Sequence, residues 1–412
     1  MSNYRKRIPY GMMNFVDVRE RNFRFVMKYF RLFLLTCLLN ACSSPKENVK
    51  ADSLETIHVE VENIREDVYL SEFSTAKIIP LSTTDEALIG GKFNRVKTSD
   101  KSICISDGEA IYRFSQTGEY LGKIAKKGQG PDQYLHINDF VLDGNENVWV
   151  ASDHKKSLLL YSWDNRLIKE MKVNLTHIPC IHRLGDKLII ANKYYLPDNK
   201  HTLQVIDLNT GETINNFLPI DEFKAKYLIA STQITPGEND PVCYVNTTHN
   251  DTIYRVTPYA CQPYRTFDWD GKNIALEYYH QDFRNLGEFY KSLPSRSIFG
   301  IHFQLHSDNY QWVGYMDKRI RAAIVPKGMG EHIVMDEIRI DELEGFPLGL
   351  WVNFSEENKF VTGRNEIIFM VQPMDILDYV EEHCPKAMDD IKKKIQYTSE
   401  DQNPILLVIK LK

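Results

Sequence analysis

The sequence predicts an all-β protein, a six-bladed β-propeller whose N- and C-terminal strands close the last blade, with two helical insertions. Three observations predict this fold. The 412-residue chain is rich in the strand formers Tyr (22) and Phe (20). A strand–turn–strand pattern recurs at intervals of about 47 residues, and repeats of roughly 40–50 residues with four short strands are typical of propeller blades. The chain also ends in an apolar strand that needs a partner.

The first element is an export signal. Met27–Arg31 is short and basic, and the apolar run Leu32–Leu39 that follows is too short to span a bilayer, as expected of a signal peptide. It ends in Leu39-Asn40-Ala41-Cys42, which resembles a bacterial lipobox. We therefore predict that residues 1–41 are a signal peptide, that its true start is Met27, and that Cys42 is lipidated.

Residues 42–53 are polar and predict a tether, so the propeller covers residues 54–412. Ser43 follows the cysteine, and by resemblance to other lipoproteins this implies sorting to the outer membrane. The expected location is therefore the cell envelope, with the protein lipid-anchored. The sequence leaves open whether it faces the periplasm or the cell surface.

The charge of the mature chain argues against one class of partner. The full chain has 50 basic and 56 acidic residues, and residues 1–41 hold eight and two of these, which leaves 42 and 54 and a net charge of −12. Such a surface repels phosphate backbones. We expect no nucleic-acid partner.

Three hairpin-like segments define the repeat. Each has alternating apolar residues around a Gly or Asn that can adopt a positive φ. They are Phe114–Ile124, Tyr161–Met171 and Ile206–Phe217.

The remaining strands fill six predicted blades. The expected limits are Phe93–Ile124, His136–Val173, Ile178–Phe217, Tyr227–Trp269, Ile298–Ile340, and a sixth blade that begins near Leu348.

Two segments break the strand pattern. Apolar residues recur at spacings of three and four over Ala275–Leu293, which predicts one amphipathic helix ending before Pro294. A second helix is predicted over Met374–His383, with a continuation past Pro385. Both are expected to be insertions packed on the rim of the propeller.

The last strand, Ile405–Ile409, is apolar on both faces, as a buried strand must be. A propeller closes by pairing its two chain ends within one blade, which removes an open seam. Ala76–Leu81 is the predicted partner, and Pro80, which lacks an N–H, suits an edge strand.

A family resemblance agrees with this fold. Gly128–Tyr134 and Asp139–Val150 resemble an NHL-type propeller blade, except that Asp132 stands where that pattern usually has Gly. Over about Ile57–Lys412 the chain is similar to the six-bladed β-propeller lipoproteins of outer membranes of gut anaerobes. The resemblance implies a propeller on a lipid anchor.

Three histidines are candidate ligand-binding residues. His136, His182 and His302 each fall near the predicted innermost strand of a different blade, and innermost strands line the axial channel. They could converge on a ligand or a metal, or they could be scattered and individually hydrogen-bonded.

Two interpretations are also open for the tryptophans and for the cysteines. The tryptophans could stack on sugar rings at one rim or pack between blades; they are Trp149, Trp163, Trp269, Trp312 and Trp351. The five cysteines of the mature chain could be buried thiols or include one disulfide. No catalytic, cofactor-binding or metal-ligating residue is predicted.

These features predict a non-catalytic lipoprotein whose propeller binds a glycan, a peptide or an envelope partner protein, with the membrane as its second partner. The alternative is a metal-dependent propeller enzyme of lactonase-like or lyase-like type, which needs several ligands on different inner strands. A structural role in an envelope complex is a third possibility.

Overall fold

Six sheets, each with at least four strands, are arranged as the blades of a propeller and make up most of the described chain. A computed structural model describes residues 54–89, 95–173, 180–191, 200–227, 233–237, 240–247, 249–317, 319–349 and 359–412. Residues 54–412 form one compact unit. The predicted signal peptide, Cys42 and the tether lie outside the described residues.

The four strands of each blade follow one another from the axis outward. Blade 1 contains Arg95–Thr98, Ile103–Ser106, Ile111–Phe114 and Tyr120–Ile124. Blade 2 contains Asp139–Leu142, Val148–Ser152, Ser157–Tyr161 and Leu167–Lys172. Blade 3 contains Cys180–Leu184, Lys187–Ala191, His201–Asp207 and Thr213–Pro219. Blade 4 contains Gln233–Pro236, Cys243–Asn246, Thr252–Val256 and Cys261–Asp268. Blade 5 contains Ile301–His306, Tyr310–Met316, Ile320–Pro326 and Ile333–Met335. Blade 6 contains Lys359–Gly363, Glu366–Val371, Ile405–Leu411 and Ser74–Pro80.

The six inner strands surround one axis. Each approaches the inner strand of the next blade, with Cα atoms within 8 Å, and the ring closes between blades 6 and 1. The inner strand of blade 4 also approaches that of blade 6 across the ring at this distance. The axial channel is therefore narrow on this side.

The predicted closure is confirmed. Ser74–Pro80 pairs antiparallel with Ile405–Leu411, and the register places Ile78 opposite Leu407. Ser74–Pro80 is the outer strand of the blade, and Pro80 is its last residue. An outer strand uses only one of its edges in the sheet, so the missing N–H of Pro80 is tolerated there.

The three repeated hairpins are the third and fourth strands of blades 1, 2 and 3, as predicted. Gly118, Asn165 and Gly211 occupy equivalent turn positions and all have positive φ, at 89°, 63° and 81°. Each turn contacts the end of the preceding blade's outer strand. The Asn165 side chain, for example, accepts from the N–H of Ala125 and donates to the carbonyl of Lys123.

An N-terminal belt, residues 55–73, runs along the outside of blades 4 and 5 and was not predicted. Glu55–His58 adds a fifth strand to blade 4, parallel to the outer strand Cys261–Asp268. Further on, Ile64 bridges Val334 at the outer strand of blade 5. The belt covers strand edges that would otherwise be open to solvent.

The sixth blade begins later than predicted. Leu348 belongs to a separate hairpin, Glu337–Ile340 with Phe346–Gly349, and the inner strand of blade 6 begins at Lys359. The hairpin alternates polar and apolar residues as a blade strand does, so the sequence did not distinguish the two. The start of blade 1 at Phe93 and of blade 3 at Ile178 fall outside the described residues.

The prediction of one helix over Ala275–Leu293 was wrong. The segment forms two short helices, Leu276–Tyr279 and Leu286–Ser292. Asn285 separates them because its backbone is extended and its side chain accepts a hydrogen bond from the N–H of Glu288 at 3.0 Å, which starts a new helix.

The second predicted helix is confirmed, and it begins one residue earlier than predicted. Pro373–His383 is an α-helix, and after a 3₁₀ turn at Pro385–Ala387 the chain continues as Met388–Lys394. A short helix, Glu222–Ala225, lies between blades 3 and 4. No helix in the described ranges is long and apolar enough to cross a bilayer.

The two ends of the propeller differ sharply. At one end, which we call the turn face, strands are joined by connections of two to six residues. Every longer connection lies at the other end, which we call the loop face, because successive antiparallel strands alternate in direction. The longest are 269–300, 336–358 and 372–404. Both helical insertions are therefore on the loop face.

The core lies between the blades. Trp149, Trp269 and Trp312 are buried there, and Trp163 is half-buried with its ring beneath the Arg113 guanidinium. Packing between blades is therefore the role of the first three; Trp351 is outside the described residues. The five cysteines of the described chain are free thiols.

Candidate functional site

The mouth of the axial channel on the loop face is the candidate site. Each inner strand begins at this face, so the first residues of these strands surround the mouth. Blades 1 to 5 each contribute a polar or charged side chain near it. In blade order these are Arg95 and Lys97, Asp139, His182, Gln233 and His302.

Asp139 joins three blades at the axis. Its side chain is fully buried, and its carboxylate accepts hydrogen bonds from the N–H of Ile181 at 2.8 Å and from Lys97 Nζ at 3.4 Å. Lys97 Nζ also donates to the carbonyl of Ile181 at 3.2 Å. Ile181 lies on the free edge of blade 3, so side chains of blades 1 and 2 satisfy backbone groups that no strand pairs with.

Arg95 adds a second positive charge to the same carboxylate. Its Nε lies 3.7 Å from Asp139 Oδ1. The side chains of Arg95 and Lys97 are each 26% exposed, whereas that of Asp139 is inaccessible. Two cations thus lie against one buried carboxylate, and both remain partly accessible in the mouth.

His182 lies next to this pair on the inner strand of blade 3. Its side chain is half-buried in a narrow channel, and the removal of water lowers its pKa to about 3, with further lowering by the charges of Lys97 and Arg183. The imidazole is therefore neutral at physiological pH. It offers one donor and one acceptor but no charge.

A polar seam between blades 4 and 5 opens on the other side of the mouth. Asn246 is fully buried and donates through Nδ2 to the carbonyl of Ile301 at 3.1 Å, so it points toward blade 5. Gln233 is its cross-strand partner and shares that face. Within the described chain, neither Gln233 Oε1 nor Asn246 Oδ1, both buried, has a hydrogen-bond partner.

The seam continues toward the turn face. Thr235 and Gln304 are almost fully buried, and their Oγ1 and Nε2 atoms are also without partners among the described residues. Gln311 links Gln304 to the buried Arg265, whose Nη1 lies 2.6 Å from Gln311 Oε1. A run of unsatisfied buried polar atoms is unusual in a native fold, where such groups are commonly bound by ordered water or an ion.

The structure separates the three predicted histidines. His182 lies near Lys97 on the inner strand of blade 3 and His302 lies on the inner strand of blade 5, so both are on inner strands as expected. His136 is exposed on the connection that precedes Asp139, not on a strand. In the described ranges no group of three His, Cys, Asp or Glu residues is arranged to hold a metal ion. Their role in binding a ligand stays a prediction.

Sequence reasoning missed Arg95, Lys97, Asp139, Gln233 and Asn246. Arg95 and Lys97 alternate with an apolar Val96 and look like solvent-facing residues of an edge strand. Asp139 begins a strand, and a charged residue directly before three apolar ones was the one available signal of a buried carboxylate.

Fold and site together define a six-bladed β-propeller with a polar axial mouth on its loop face. The chain belongs to the family described as a domain of unknown function, DUF4934, whose model matches residues 54–410. No curated protein is similar to the chain.

Two solved structures share this fold. One is a Bacteroides fragilis protein named as an exported protein. Its TM-score is 0.66 at 16% identity, and the match covers 87% of this chain and 100% of that protein's chain. A Bacteroides vulgatus member of the DUF4221 family has a TM-score of 0.51 at 13% identity, covering 82% of this chain and 97% of its own. At these identities the similarity shows the fold alone.

Proposed function

We propose that this protein is an extracytoplasmic, membrane-anchored binding protein, lipidated at Cys42, whose loop face takes up a glycan, a peptide or a partner of the cell envelope. The observation that supports it most is the asymmetry of the two ends. All connections longer than six residues begin and end at the face that holds the mouth of the channel, while the opposite end has short turns. Long loops on a rigid scaffold are where binding residues concentrate.

The mouth adds chemistry to this asymmetry. The charged and polar side chains at the start of the inner strands can orient a polar ligand. The described residues supply no cluster of metal ligands, so the alternative of a metal-dependent propeller enzyme has no support from them. We therefore favour binding without catalysis.

The anchor is tested by metabolic labelling with a palmitate analogue. The Cys42→Ala protein should lose the label and leave the membrane fraction, because acyl chains supply the insertion energy. Cys37→Ala, which alters a cysteine inside the predicted signal peptide, is the matched control and should be labelled like the wild type. Equal labelling of the Cys42 variant would contradict the proposal.

Binding is tested by applying purified residues 54–412 to arrays of glycans and peptides, together with Lys97→Met as a variant of the mouth. Specific retention of one class, weakened by the variant, is expected. A folded wild-type protein that retains no array member and captures no envelope protein after cross-linking in cells would contradict the binding function.

A further inference from the structure

Residues 82–89, which we call the clasp, connect blade 6 with blade 1. They follow the outer strand Ser74–Pro80 of blade 6 and precede the inner strand Arg95–Thr98 of blade 1. An outer strand ends at the loop face and an inner strand begins there, so the clasp runs on this face from the outside of the propeller toward the mouth. It therefore lies across the boundary between the last blade and the first.

The clasp has little regular structure of its own. It contains no helix or strand, and a backbone hydrogen bond from the N–H of Ala87 to the carbonyl of Thr84 closes a turn within it. Five of its eight residues are exposed: Thr83, Thr84, Asp85, Glu86 and Leu88. A segment with few buried contacts opens at a low cost in free energy unless other parts of the fold hold it. The clasp therefore depends on its anchors.

Asn403 anchors the clasp through four hydrogen bonds. Its Nδ2 donates to the carbonyl of Ser82 at 2.8 Å and to that of Ala87, and its Oδ1 accepts from the N–H of Ile89 at 2.9 Å. The backbone N–H of Asn403 donates to Thr83 Oγ1 at 2.8 Å. Asn403 is 2% exposed, so water does not compete for its amide group. One buried side chain thus holds the clasp at both of its ends.

The backbone at Asn403 is itself fixed. Pro404 follows it, and a residue before proline is restricted to extended conformations. The strand Ile405–Leu411, which lies in the core of blade 6, begins directly afterwards. The connection 372–404, which contains the second helical insertion, ends here. The anchor of the clasp is therefore attached to a core strand.

Contacts with blade 1 complete the clasp. The N–H of Ser82 donates to the carbonyl of Gly118 at 2.9 Å, and Lys123 Nζ donates to the carbonyl of Glu86 at 2.9 Å. The side chain of Ile89 is buried in the apolar core between blades 6 and 1. The closed clasp thus contacts both blades.

We infer that the clasp is a strap locked by Asn403, and that it opens as one unit while the blades stay folded. Opening exposes the apolar core between blades 6 and 1 at the loop face. The pairing of Ser74–Pro80 with Ile405–Leu411 keeps the ring closed in both states. The loop face thus has one segment that moves without the unfolding of a blade. The inference is independent of the proposed binding function, because it requires no ligand.

Hydrogen–deuterium exchange of residues 54–412, which form one compact unit, tests the opening. After correction for intrinsic rates, the amides of Ser82, Ala87 and Ile89 should exchange about tenfold or more faster than those of the blade 2 strand Val148–Ser152. Low concentrations of urea should speed exchange of the strand more than that of the clasp, because a local opening exposes less surface. Equal rates with equal urea dependence would overturn the inference, since the clasp would then open only with the whole domain.

Asn403→Asp tests the lock. It keeps the size of the side chain and an acceptor for Ile89 but removes both N–H donors, so the clasp amides should exchange about 10- to 100-fold faster than in the wild type. The strand Val148–Ser152 should remain slower than the clasp. Asn365→Asp is the matched control, because Asn365 Nδ2 donates to the carbonyl of Leu411 at 3.3 Å at the turn face of the same blade. It should leave the opening of the clasp unchanged.

Thr83→Val provides the same test if Asn403→Asp does not fold. Thr83 is exposed, and the change removes only the acceptor of the Asn403 N–H, so the clasp amides should exchange about three- to tenfold faster. Clasp exchange at the wild-type rate in these variants would show that Asn403 is not the lock and would overturn the inference.

Discussion

The turn at Gly118 in blade 1 lies directly against the carbonyl group of Pro80 in blade 6. A Cβ atom added to Gly118 would stand 1.9 Å from Pro80 O, and the residue has a φ of 89°. The neighbouring backbone is tied as well, since the N–H of Ser82 donates to the carbonyl of Gly118 at 2.9 Å. This contact joins the last blade to the first.

Gly118→Ala should therefore destabilise the propeller strongly. Gly211→Ala is the matched control, because it occupies the equivalent turn of blade 3 with a φ of 81°, but its Cβ would meet the flexible Met171 side chain at 3.0 Å and the backbone oxygen of Lys172 no closer than 3.4 Å. Both variants lose roughly 1–2 kcal/mol from the left-handed backbone, and Gly118→Ala should lose a further ~2 kcal/mol or more from the clash. Urea denaturation measures both. Equal losses would mean that the contact with blade 6 relaxes freely.

Removal of residues 404–412 should prevent stable folding. This strand places Ile405, Leu406, Leu407, Ile409 and Leu411 in the core. At roughly 1.5–3 kcal/mol for each buried side chain, their loss is comparable to the entire stability of a typical domain. We expect insoluble or molten protein, judged by near-ultraviolet circular dichroism. A chain that begins at Leu54 serves as the control and should melt like the mature protein; a truncated chain melting within a few degrees of it would show the strand to be peripheral.

The pair Glu55–Arg265 should couple the belt to blade 4. Arg265 is 3% exposed, and its Nε donates to Glu55 Oε2 at 2.6 Å. A double-mutant cycle with Glu55→Gln and Arg265→Met should give a coupling of about 1–3 kcal/mol, because Arg265 is almost fully buried and loses a charged partner when Glu55 is changed, although Glu55 itself is half exposed. The same cycle at His58 and Asp268, whose side chains are half exposed, should give a much smaller value. Similar coupling energies at the two sites would contradict the expectation that the buried Arg265 holds the belt on blade 4.

Lowering the pH should weaken the packing of the insertion 269–300 against blade 4, because His249 of blade 4 contacts Tyr279 of the insertion. His249 Nε2 faces the carbonyl of Tyr227, which can only accept, and its Nδ1 faces the hydroxyl of Tyr279 at 2.7 Å, so the neutral ring donates to Tyr227 and accepts from Tyr279. Burial lowers its pKa from 6.5 to about 4. The unfolded chain therefore takes up the proton first, and the contribution of His249 to stability is lost as the pH falls from about 6.5 to about 4.

Over that range His249 should account for up to about 3 kcal/mol of lost stability. Glutamine can keep both hydrogen bonds without titrating, so His249→Gln should flatten the dependence of the unfolding free energy on pH. Denaturation at pH 7, 5.5 and 4.5 measures this, with the exposed His154→Gln as the control. Parallel curves for the wild type and His249→Gln would show that another group causes the acid sensitivity.

The blades were predictable because their signals are local. Hairpins such as Phe114–Ile124 combine alternating apolar residues with a turn residue of positive φ, and Ile405–Ile409 is apolar on both faces. The split at Asn285 was not predictable from spacing, since the apolar residues kept a helical period while one side chain capped a new helix. The belt was missed because Glu55–His58 is four residues long and its partner lies 210 residues away in the sequence.

The site was harder to predict than the fold. Asp139, Lys97 and Ile181 meet because three blades converge, and no spacing along the chain encodes that. The histidines drew attention as residue types, but the structure distributes them over separate parts of the mouth. Gln233 and Asn246 are ordinary strand residues until their register shows that both face blade 5.

The belt also determines how the protein responds to a mechanical pull. In the anchored protein we propose, tension on the tether reaches the propeller at Glu55 and acts along a strand that is parallel to Arg265–Asp268. The hydrogen bonds of such a pair are perpendicular to the force, so they are loaded together and must break together. In a hairpin pulled from its open end, by contrast, the hydrogen bonds break one after another. Tension from the membrane would thus act on the outer edge of blade 4, and not on the contact by which blade 6 closes the ring against blade 1.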